Sequence, residues 1–340
     1  MPVLFPLAEY WWFYLAFTGF IVALLVLDLG LFHRQAHEIP FREALTWGLV
    51  WVLLALAFNY LLYCYASWKF PLEPRLLGIA GFDAEAAASK VALEFLAGYV
   101  VEYSLSVDNM FVFLIIFQYF AIPPKYQHRV LFYGIVGALV LRAMFIAAGA
   151  VLMRYHWVTV LFGALLIYTA LRMATMAEAA IDPDKSLLMK LVQRVLPTTR
   201  ELHLARFVVR IDNRLYATPL LVSLCFLEFA DMVFALDSVP AIFGITKEPL
   251  VVFTSNMFAI LGLRTLYFLL AGAAQRFHLL KYGVAAVLLF VGFKMVWLND
   301  RFDGQFPITW SLAIIGLCLV TAVVASILVP PREAPGDAAR

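Results

Sequence analysis

The stretch that decides the fold is Val101-Glu102-Tyr-Ser-Leu-Ser-Val-Asp108-Asn109-Met-Phe-Val-Phe113, in which two carboxylates interrupt an apolar run. A second stretch, Glu228-Phe-Ala-Asp231-Met-Val-Phe-Ala-Leu-Asp237-Ser238-Val-Pro240, has the same character. When the two are superimposed, the same six-residue step separates a pair of carboxylates in each copy. The superimposed pairs are Glu102 with Asp231, Asp108 with Asp237, and Asn109 with Ser238. The chain therefore contains two related acidic motifs inside apolar segments.

The similarity between the two regions extends beyond the acidic motifs. The sequence around Arg142 resembles that around Arg264, and Arg154-Tyr-His156 resembles Arg276-Phe-His278. Each copy would contain three spanning helices, and an odd number of spans makes the second copy enter the membrane in the opposite direction. The sequence therefore predicts an inverted repeat of three plus three helices, in which secondary transporters commonly place their substrate site near the midplane.

The composition of the whole chain is typical of a membrane protein. Of its 340 residues, 64% are hydrophobic and 14% are charged, and several apolar runs reach the roughly 18 residues that a spanning helix needs. We expect an all-α polytopic membrane protein embedded in a lipid bilayer. The formal net charge of +2 gives no reason to expect a nucleic-acid partner. The nine predicted spans are 11–32, 43–63, 95–119, 130–152, 157–173, 218–245, 249–273, 280–298 and 308–329.

These spans divide the chain into five predicted parts. Two N-terminal helices and an outer loop come first, a cytoplasmic loop separates the two repeats, and a last helix with a short cytoplasmic tail ends the chain. In that order, the parts are residues 1–94, 95–173 for the first repeat, 174–217 for the loop, 218–298 for the second repeat, and 299–340.

Lysine and arginine residues set the predicted orientation, because they are enriched in cytoplasmic loops. Most of them fall on one side of the membrane if the loop 174–217 is cytoplasmic. The N-terminus is then outside and the C-terminus inside. Residues 185–194 of this loop have the amphipathic pattern of a helix that lies on a membrane surface. The same loop is where we expect a protein partner to dock, if the chain has one.

Five carboxylates lie within predicted spans, and each costs about 2.5–3.5 kcal/mol near a helix centre. Their combined cost is comparable to the whole net stability of a folded protein, about 5–15 kcal/mol, so these groups must be paired, protonated, hydrated or bound to a metal. The neighbouring ligands are all oxygen atoms, which suit Mn²⁺, Mg²⁺ or Ca²⁺ better than copper or zinc. Pro240 lacks an N–H and predicts a kink that would aim Asp237 at such an ion. The predicted metal ligands are Glu102, Asp108, Asn109, Glu228, Asp231, Asp237 and Ser238.

Four other polar residues lie in or near the predicted spans. Arg142 and Arg264 are too deep to reach the interface easily. They are natural partners for two of the acids, either as structural or gating ion pairs or as participants in coupling. Asn256 would cap a helix or form hydrogen bonds near Arg264. Asp28 either pairs with Arg34 at the interface or serves as a ligand in a vestibule.

Four motifs together resemble the TerC family of integral membrane proteins, which is named for tellurium resistance. They are Glu102 to Asn109, Ala217-Thr-Pro-Leu220, Phe234 to Ile242, and Ser255 to Arg264. The resemblance implies export of Mn²⁺ across the inner membrane of a bacterium, with the two acidic motifs as the metal path. In the family a basic residue often follows the first glutamate, whereas this chain has Tyr103. The family also includes members linked to tellurite stress or to membrane-protein assembly.

We therefore expect a secondary transporter that exports a divalent cation. Mn²⁺ is the expected cargo, with Mg²⁺ and Ca²⁺ as alternatives, and no permanently bound cofactor is expected. Protons or the membrane potential would supply the energy, because the sequence has no nucleotide-binding motif. The alternative is a non-transport scaffold for membrane-protein assembly or for the response to tellurite or metal stress. We do not expect an enzyme, since the sequence offers neither a nucleophile with a base partner nor a zinc-type His-Glu motif.

Overall fold

A computed structural model describes residues 3–27, 40–175, 189, 194, 197–199, 201–202, 206–211, 213–271, 279–302 and 306–329, with the side chain of Asp108 excepted. Asp28 lies outside the described residues, as does most of the segment 185–194. Eight described helices are long and apolar enough to cross a membrane, and a bent pair of helices forms a ninth crossing if it is counted as one span. The prediction of an all-α polytopic membrane protein is confirmed.

Helices account for nearly all of the described structure. The helices are α1 (Leu7–Leu27), α2 (Phe41–Lys69), α3 (Pro74–Leu77), α4 (Ala84–Tyr119), α5 (Pro124–Leu152), α6 (His156–Thr175), α7 (Pro219–Phe243), α8 (Pro249–Leu261), α9 (Leu263–Ala271), α10 (Leu280–Phe293), α11 (Asn299–Arg301) and α12 (Ile308–Leu328). A 3₁₀ turn, Phe70–Leu72, follows α2, and a π-helical turn, Lys294–Leu298, joins α10 to α11.

The outside of the bundle is apolar, as a protein surrounded by lipid requires. On α12, for example, Leu317 is 68% and Ile327 is 67% exposed. Ser311 and Ser326 of the same helix are buried, with 0% and 3% exposure. Polar side chains thus face inward and large apolar ones face outward, because the hydrocarbon around the helices offers no hydrogen-bond partners.

Helix α4 is the central element of the bundle, and it begins earlier than the sequence predicts. The predicted span starts at 95, whereas the helix starts at Ala84 because Asp83 caps it. The Asp83 carboxylate accepts hydrogen bonds from the backbone N–H groups of Glu85 and Ala86, at 3.0 and 3.1 Å. The helix is roughly 54 Å long at 1.5 Å per residue, so it extends well beyond a hydrocarbon layer of about 30 Å.

The contacts between helices agree with two related three-helix units. Helix α4 packs against α8, α5 against α7, α4 against α7, and α6 against α10. In the predicted repeat, α4 corresponds to α7, α5 to the α8–α9 pair, and α6 to α10. Exchanging the two units then converts the α4–α8 contact into the α7–α5 contact. The same exchange leaves the α4–α7 and α6–α10 contacts unchanged. The opposite direction of the two units in the membrane stays a prediction.

The seventh predicted span, 249–273, is broken rather than continuous. Helix α8 ends at Leu261, and α9 begins at Leu263 with its axis turned by 42°. A Cβ atom at Gly262 would lie 2.9 Å from a ring carbon of Tyr103, so only glycine lets α4 approach the break this closely. By contrast, α7 continues as one helix through Pro240 and ends at Phe243.

A β-hairpin precedes α7, and the sequence analysis missed it. Strands β1 (Val208–Ile211) and β2 (Arg214–Ala217) pair antiparallel, and Asn213 at the turn has a left-handed φ of 64°. Two β-prone runs separated by two residues indicate a hairpin, and Asp and Asn are residues that favour turns and tolerate a left-handed φ. The hairpin lies within the predicted loop 174–217, so part of that loop has regular structure.

Two glycines let the third helices of the two units touch. A Cβ at Gly292 of α10 would lie 2.8 Å from the Gly163 carbonyl oxygen and 2.8 Å from Cγ1 of Ile167, both on α6. Small residues allow membrane helices to pack this closely, and the resulting dispersion contacts replace the hydrophobic driving force that lipid does not provide.

Replacing Gly292 with alanine is expected to lower the free energy of unfolding by about 1–3 kcal/mol, because the new methyl group meets backbone atoms that cannot move aside. The matched control is Gly316→Ala on α12, where a Cβ would meet nothing within 4 Å. Thermal unfolding of the purified protein in one detergent measures both. Equal melting temperatures for the two variants would contradict the close contact.

Candidate cation site

A fully buried arginine lies at the meeting point of four helices. Arg142 of α5 has 0% exposure, and its Nη1 forms an ion pair with Oε1 of Glu102 on α4. Its Nη2 is 3.2 Å from Oδ1 of Asp231 on α7. Nη1 also donates to Oδ1 of Asn256 on α8, at 3.1 Å. One guanidinium therefore joins side chains from both predicted repeat units.

Short-range backbone contacts hold these side chains in place. The Asn256 amide nitrogen donates to the Val252 carbonyl of its own helix at 3.0 Å, which turns the amide oxygen toward Arg142. The Ser106 hydroxyl donates to the Glu102 backbone carbonyl at 2.7 Å, so this serine contacts the glutamate backbone rather than its carboxylate. Glu102, Ser106 and Asn256 are all 0% exposed.

The trio of Arg142, Glu102 and Asp231 contains more acidic than basic groups. Two carboxylates face one guanidinium, so the trio carries an excess negative charge when both acids are ionised. Oδ2 of Asp231 and Oε2 of Glu102 have no hydrogen-bond partner among the described residues. Arg264 of α9 is 4% exposed and lines, with Asp231, a cavity of about 10 Å³, about enough space for one water molecule.

The other predicted ligands on α7 have neighbours of their own outside this trio. The carboxylate of Asp237 accepts a hydrogen bond from the Thr169 hydroxyl of α6 at 3.1 Å. Glu228 is half-buried and packs against Gly137 of α5, where a Cβ would overlap its carboxylate. Ser238 is 2% exposed, and its hydroxyl has no hydrogen-bond partner among the described residues.

The first acidic motif is only partly described. Asn109 is buried at 5% exposure on α4, and the side chain of Asp108 lies outside the described part of the chain. Among the described residues, no three His, Cys, Asp or Glu side chains come close enough to hold a metal ion. The arrangement brings together Glu102, Asp231, Arg142 and Asn256, and it places Glu228 and Asp237 along the same helix as Asp231. The metal site itself stays a prediction.

Comparison with known proteins identifies the family. The model of the integral membrane protein TerC family matches residues 87–334. The chain belongs to the TerC family. It is 45% identical over 320 residues to the uncharacterized membrane protein STKORF319 of Myxococcus xanthus, with 94% of this chain and 92% of the relative covered. It is 40% identical over 311 residues to the "Putative membrane-bound redox modulator Alx" of Escherichia coli K12, covering 91% of this chain and 92% of that protein. No solved structure matches.

This TerC-family chain has a second buried polar cluster that the sequence analysis did not identify. Glu94 of α4 is 6% exposed, accepts a hydrogen bond from the Thr246 hydroxyl, and has Lys90 at 3.8 Å. Lys294, 3% exposed in the π-helical turn, interacts electrostatically with Glu94. A partial signal is present in the sequence, because Glu94 immediately precedes residue 95, where the span is predicted to start.

Glu248 links this cluster to the beginning of the TerC-family chain. Its two carboxylate oxygens accept hydrogen bonds from the backbone N–H groups of Leu4 and Phe5, at 2.9 and 3.3 Å. Burial raises the pKa of the Glu248 carboxyl, while the two N–H donors favour its ionised form. Arg75 donates to the Val3 carbonyl at 2.7 Å. The Glu248 hydrogen bonds thereby connect the segment before α1 to the N-terminus of α8.

The Asn256 amide should stabilise the fold through Arg142. Replacing Asn256 with leucine is expected to lower the free energy of unfolding by about 1.5–3 kcal/mol, the range for a lost hydrogen bond to a charged group. Thr254→Val is the control, because the Thr254 hydroxyl is equally buried and bonds only carbonyls of its own helix. Thermal unfolding in detergent compares them. If Thr254→Val lowers the melting temperature as much as Asn256→Leu does, the hydrogen bond to Arg142 does not explain the loss of stability.

Proposed function

We propose that this chain is a secondary transporter that exports a divalent cation from the cytoplasm, with Mn²⁺ as the cargo. The observation that carries the proposal is the meeting of Glu102 and Asp231 in one fully buried place. These two carboxylates are the superimposed members of the two acidic motifs, and each comes from a different three-helix unit. Transporters built from inverted repeats bind their substrate between the repeats and expose it by rocking one repeat against the other.

The carboxylates of α7 suggest a path with several steps rather than a closed cage. Glu228 and Asp231 are one turn apart, or roughly 4.5 Å along the axis, and Asp237 is roughly 9 Å beyond Asp231 at 1.5 Å per residue. Conduction through a membrane protein needs sites that attract an ion but also release it. Three carboxylates spread along one helix, each with different neighbours, meet that requirement better than a tight cluster does.

The chemistry of these side chains favours a hard cation. Every candidate ligand on α4 and α7 is a carboxylate, amide or hydroxyl oxygen, and such ligands suit Mn²⁺, Mg²⁺ and Ca²⁺. Some relatives are named as redox modulators. The three cysteines Cys64, Cys225 and Cys318 are all described and all unpaired. We therefore propose metal transport and assign no dithiol chemistry to this chain.

Purified protein in liposomes provides the direct test. We expect wild-type protein to move Mn²⁺ across the bilayer toward the side with a fluorescent Mn²⁺ indicator. Asp231→Asn and Asp237→Asn should each reduce the initial rate by about tenfold or more, which corresponds to an activation barrier higher by roughly 1.4 kcal/mol. An imposed pH gradient or membrane potential identifies the energy source.

The control carboxylate for this assay is Glu9, which is exposed at the start of α1, and Glu9→Gln should transport like the wild type. If the wild-type protein moves no Mn²⁺, Mg²⁺ or Ca²⁺, the transport proposal is wrong. The non-transport alternative, a scaffold that docks a partner through the loop 174–217, would then be the better explanation.

Glu228 can be tested without changing its charge. Gly137→Ala on α5 places a methyl group where the Glu228 carboxylate lies, so the flexible side chain must move while the backbone stays. We expect a several-fold slower Mn²⁺ flux with little change in melting temperature, because displacing a ligand by about 1 Å is costly for function. Gly134→Ala, one turn earlier, is the control, since its nearest side-chain atoms are at ordinary distances of 3.7 and 3.8 Å. Equal flux in both variants would place Glu228 outside the path.

A further inference from the structure

Arg142 occupies the space that a bound cation would need. Its Nη1 faces Oε1 of Glu102 and its Nη2 faces Oδ1 of Asp231, so the guanidinium lies between the two carboxylates. Hard divalent cations bind carboxylate oxygens at about 2.0–2.6 Å. An ion that bridged these two oxygens would overlap the guanidinium, and the two positive groups would repel each other. The arginine and a bridging ion therefore exclude one another.

The surroundings of Arg142 are suited to an exchange of this kind. The guanidinium has a third, uncharged partner in Oδ1 of Asn256 at 3.1 Å, and its own Nε has no hydrogen-bond partner among the described residues. A neutral acceptor can keep one end of the arginine satisfied after its carboxylates are lost. The arrangement thus gives the guanidinium a neutral partner that it can keep when the carboxylates bind an ion.

We propose that Arg142 is a tethered substitute for the transported cation. It neutralises Glu102 and Asp231 while the transporter is empty, and it withdraws toward Asn256 when a divalent cation binds. This role rests on the proposed function. Its physical reason is that an empty transporter must return through the membrane, and two bare carboxylates at 0% and 3% exposure would oppose the movement. Arg142 supplies the counter-charge that the absent ion would otherwise provide.

This role of Arg142 predicts that its replacement affects two kinds of transport differently. Exchange of Mn²⁺ for Mn²⁺ needs only the loaded transporter to move, whereas net Mn²⁺ flux also needs the empty transporter to return. In liposomes, Arg142→Gln should keep most of the exchange while its net flux falls by about tenfold or more. Its apparent affinity for Mn²⁺ should rise by about tenfold or more, because the competing arginine no longer occupies the site. The exposed Arg154 gives the control, Arg154→Gln, which should behave like the wild type in all three measurements.

A purely structural arginine gives different results in these assays. If Arg142→Gln weakens Mn²⁺ binding, or reduces exchange and net flux in the same proportion, the tethered-cation role is wrong while the transport proposal stands. A wild-type protein that moves no Mn²⁺ in either assay overturns the transport proposal and this role together. The two failures are therefore distinguishable.

A measurement on the wild-type protein covers the case in which Arg142→Gln does not fold. The structure of the wild-type protein with Mn²⁺ bound should show the Nη2 atom withdrawn from its 3.2 Å contact with Asp231 Oδ1, with the guanidinium still near Asn256. Metal bound to Glu102 and Asp231 while Arg142 keeps both contacts would overturn the proposal.

Discussion

The buried contact of Arg142 with Glu102 and Asp231 is the interaction on which the rest of the bundle depends. A charged group without exposure to water is stable only when opposite charges and hydrogen bonds surround it. These three side chains come from α5, α4 and α7, and Asn256 adds α8. The relative positions of four helices are therefore fixed by one guanidinium. Loss of Arg142 would leave two buried carboxylates without this counter-charge, which neither lipid nor the apolar core can replace.

The packing around this centre uses small residues where backbones must approach. Gly292 of α10 meets Gly163 of α6, and Gly262 meets the ring of Tyr103 at the break between α8 and α9. The break matters for the site, because Asn256 precedes it and Arg264 follows it. In a straight helix, Asn256 and Arg264 would lie along one helix axis. Because α9 is turned by 42° from α8, the two side chains lie on helices with different directions. The close packing at Gly262 therefore helps to position polar residues of the buried site.

The acidic motifs could be identified from the sequence because carboxylates in apolar spans are costly and therefore few. Their partners could not be identified in the same way. The sequence made Arg142 a candidate partner for the acids, but it could not say that one guanidinium would contact Glu102 and Asp231 together. Nor could it show that Asp237, a predicted metal ligand, accepts a hydrogen bond from Thr169 of α6. Side-chain partners across helices depend on helix rotation and tilt, and these are set by packing between segments distant in the chain.

The membrane class, the number of spans and the paired acidic motifs were determined by the sequence alone, because hydrophobic length and charge spacing act along the chain. Only the tertiary structure decided three other features. One is the joining of both motifs by Arg142, another is the break at Gly262, and the last is the buried polar cluster around Glu94, Thr246 and Lys294. Each of these arises where residues far apart in sequence meet, and the energy of such contacts depends on distances that no local pattern encodes.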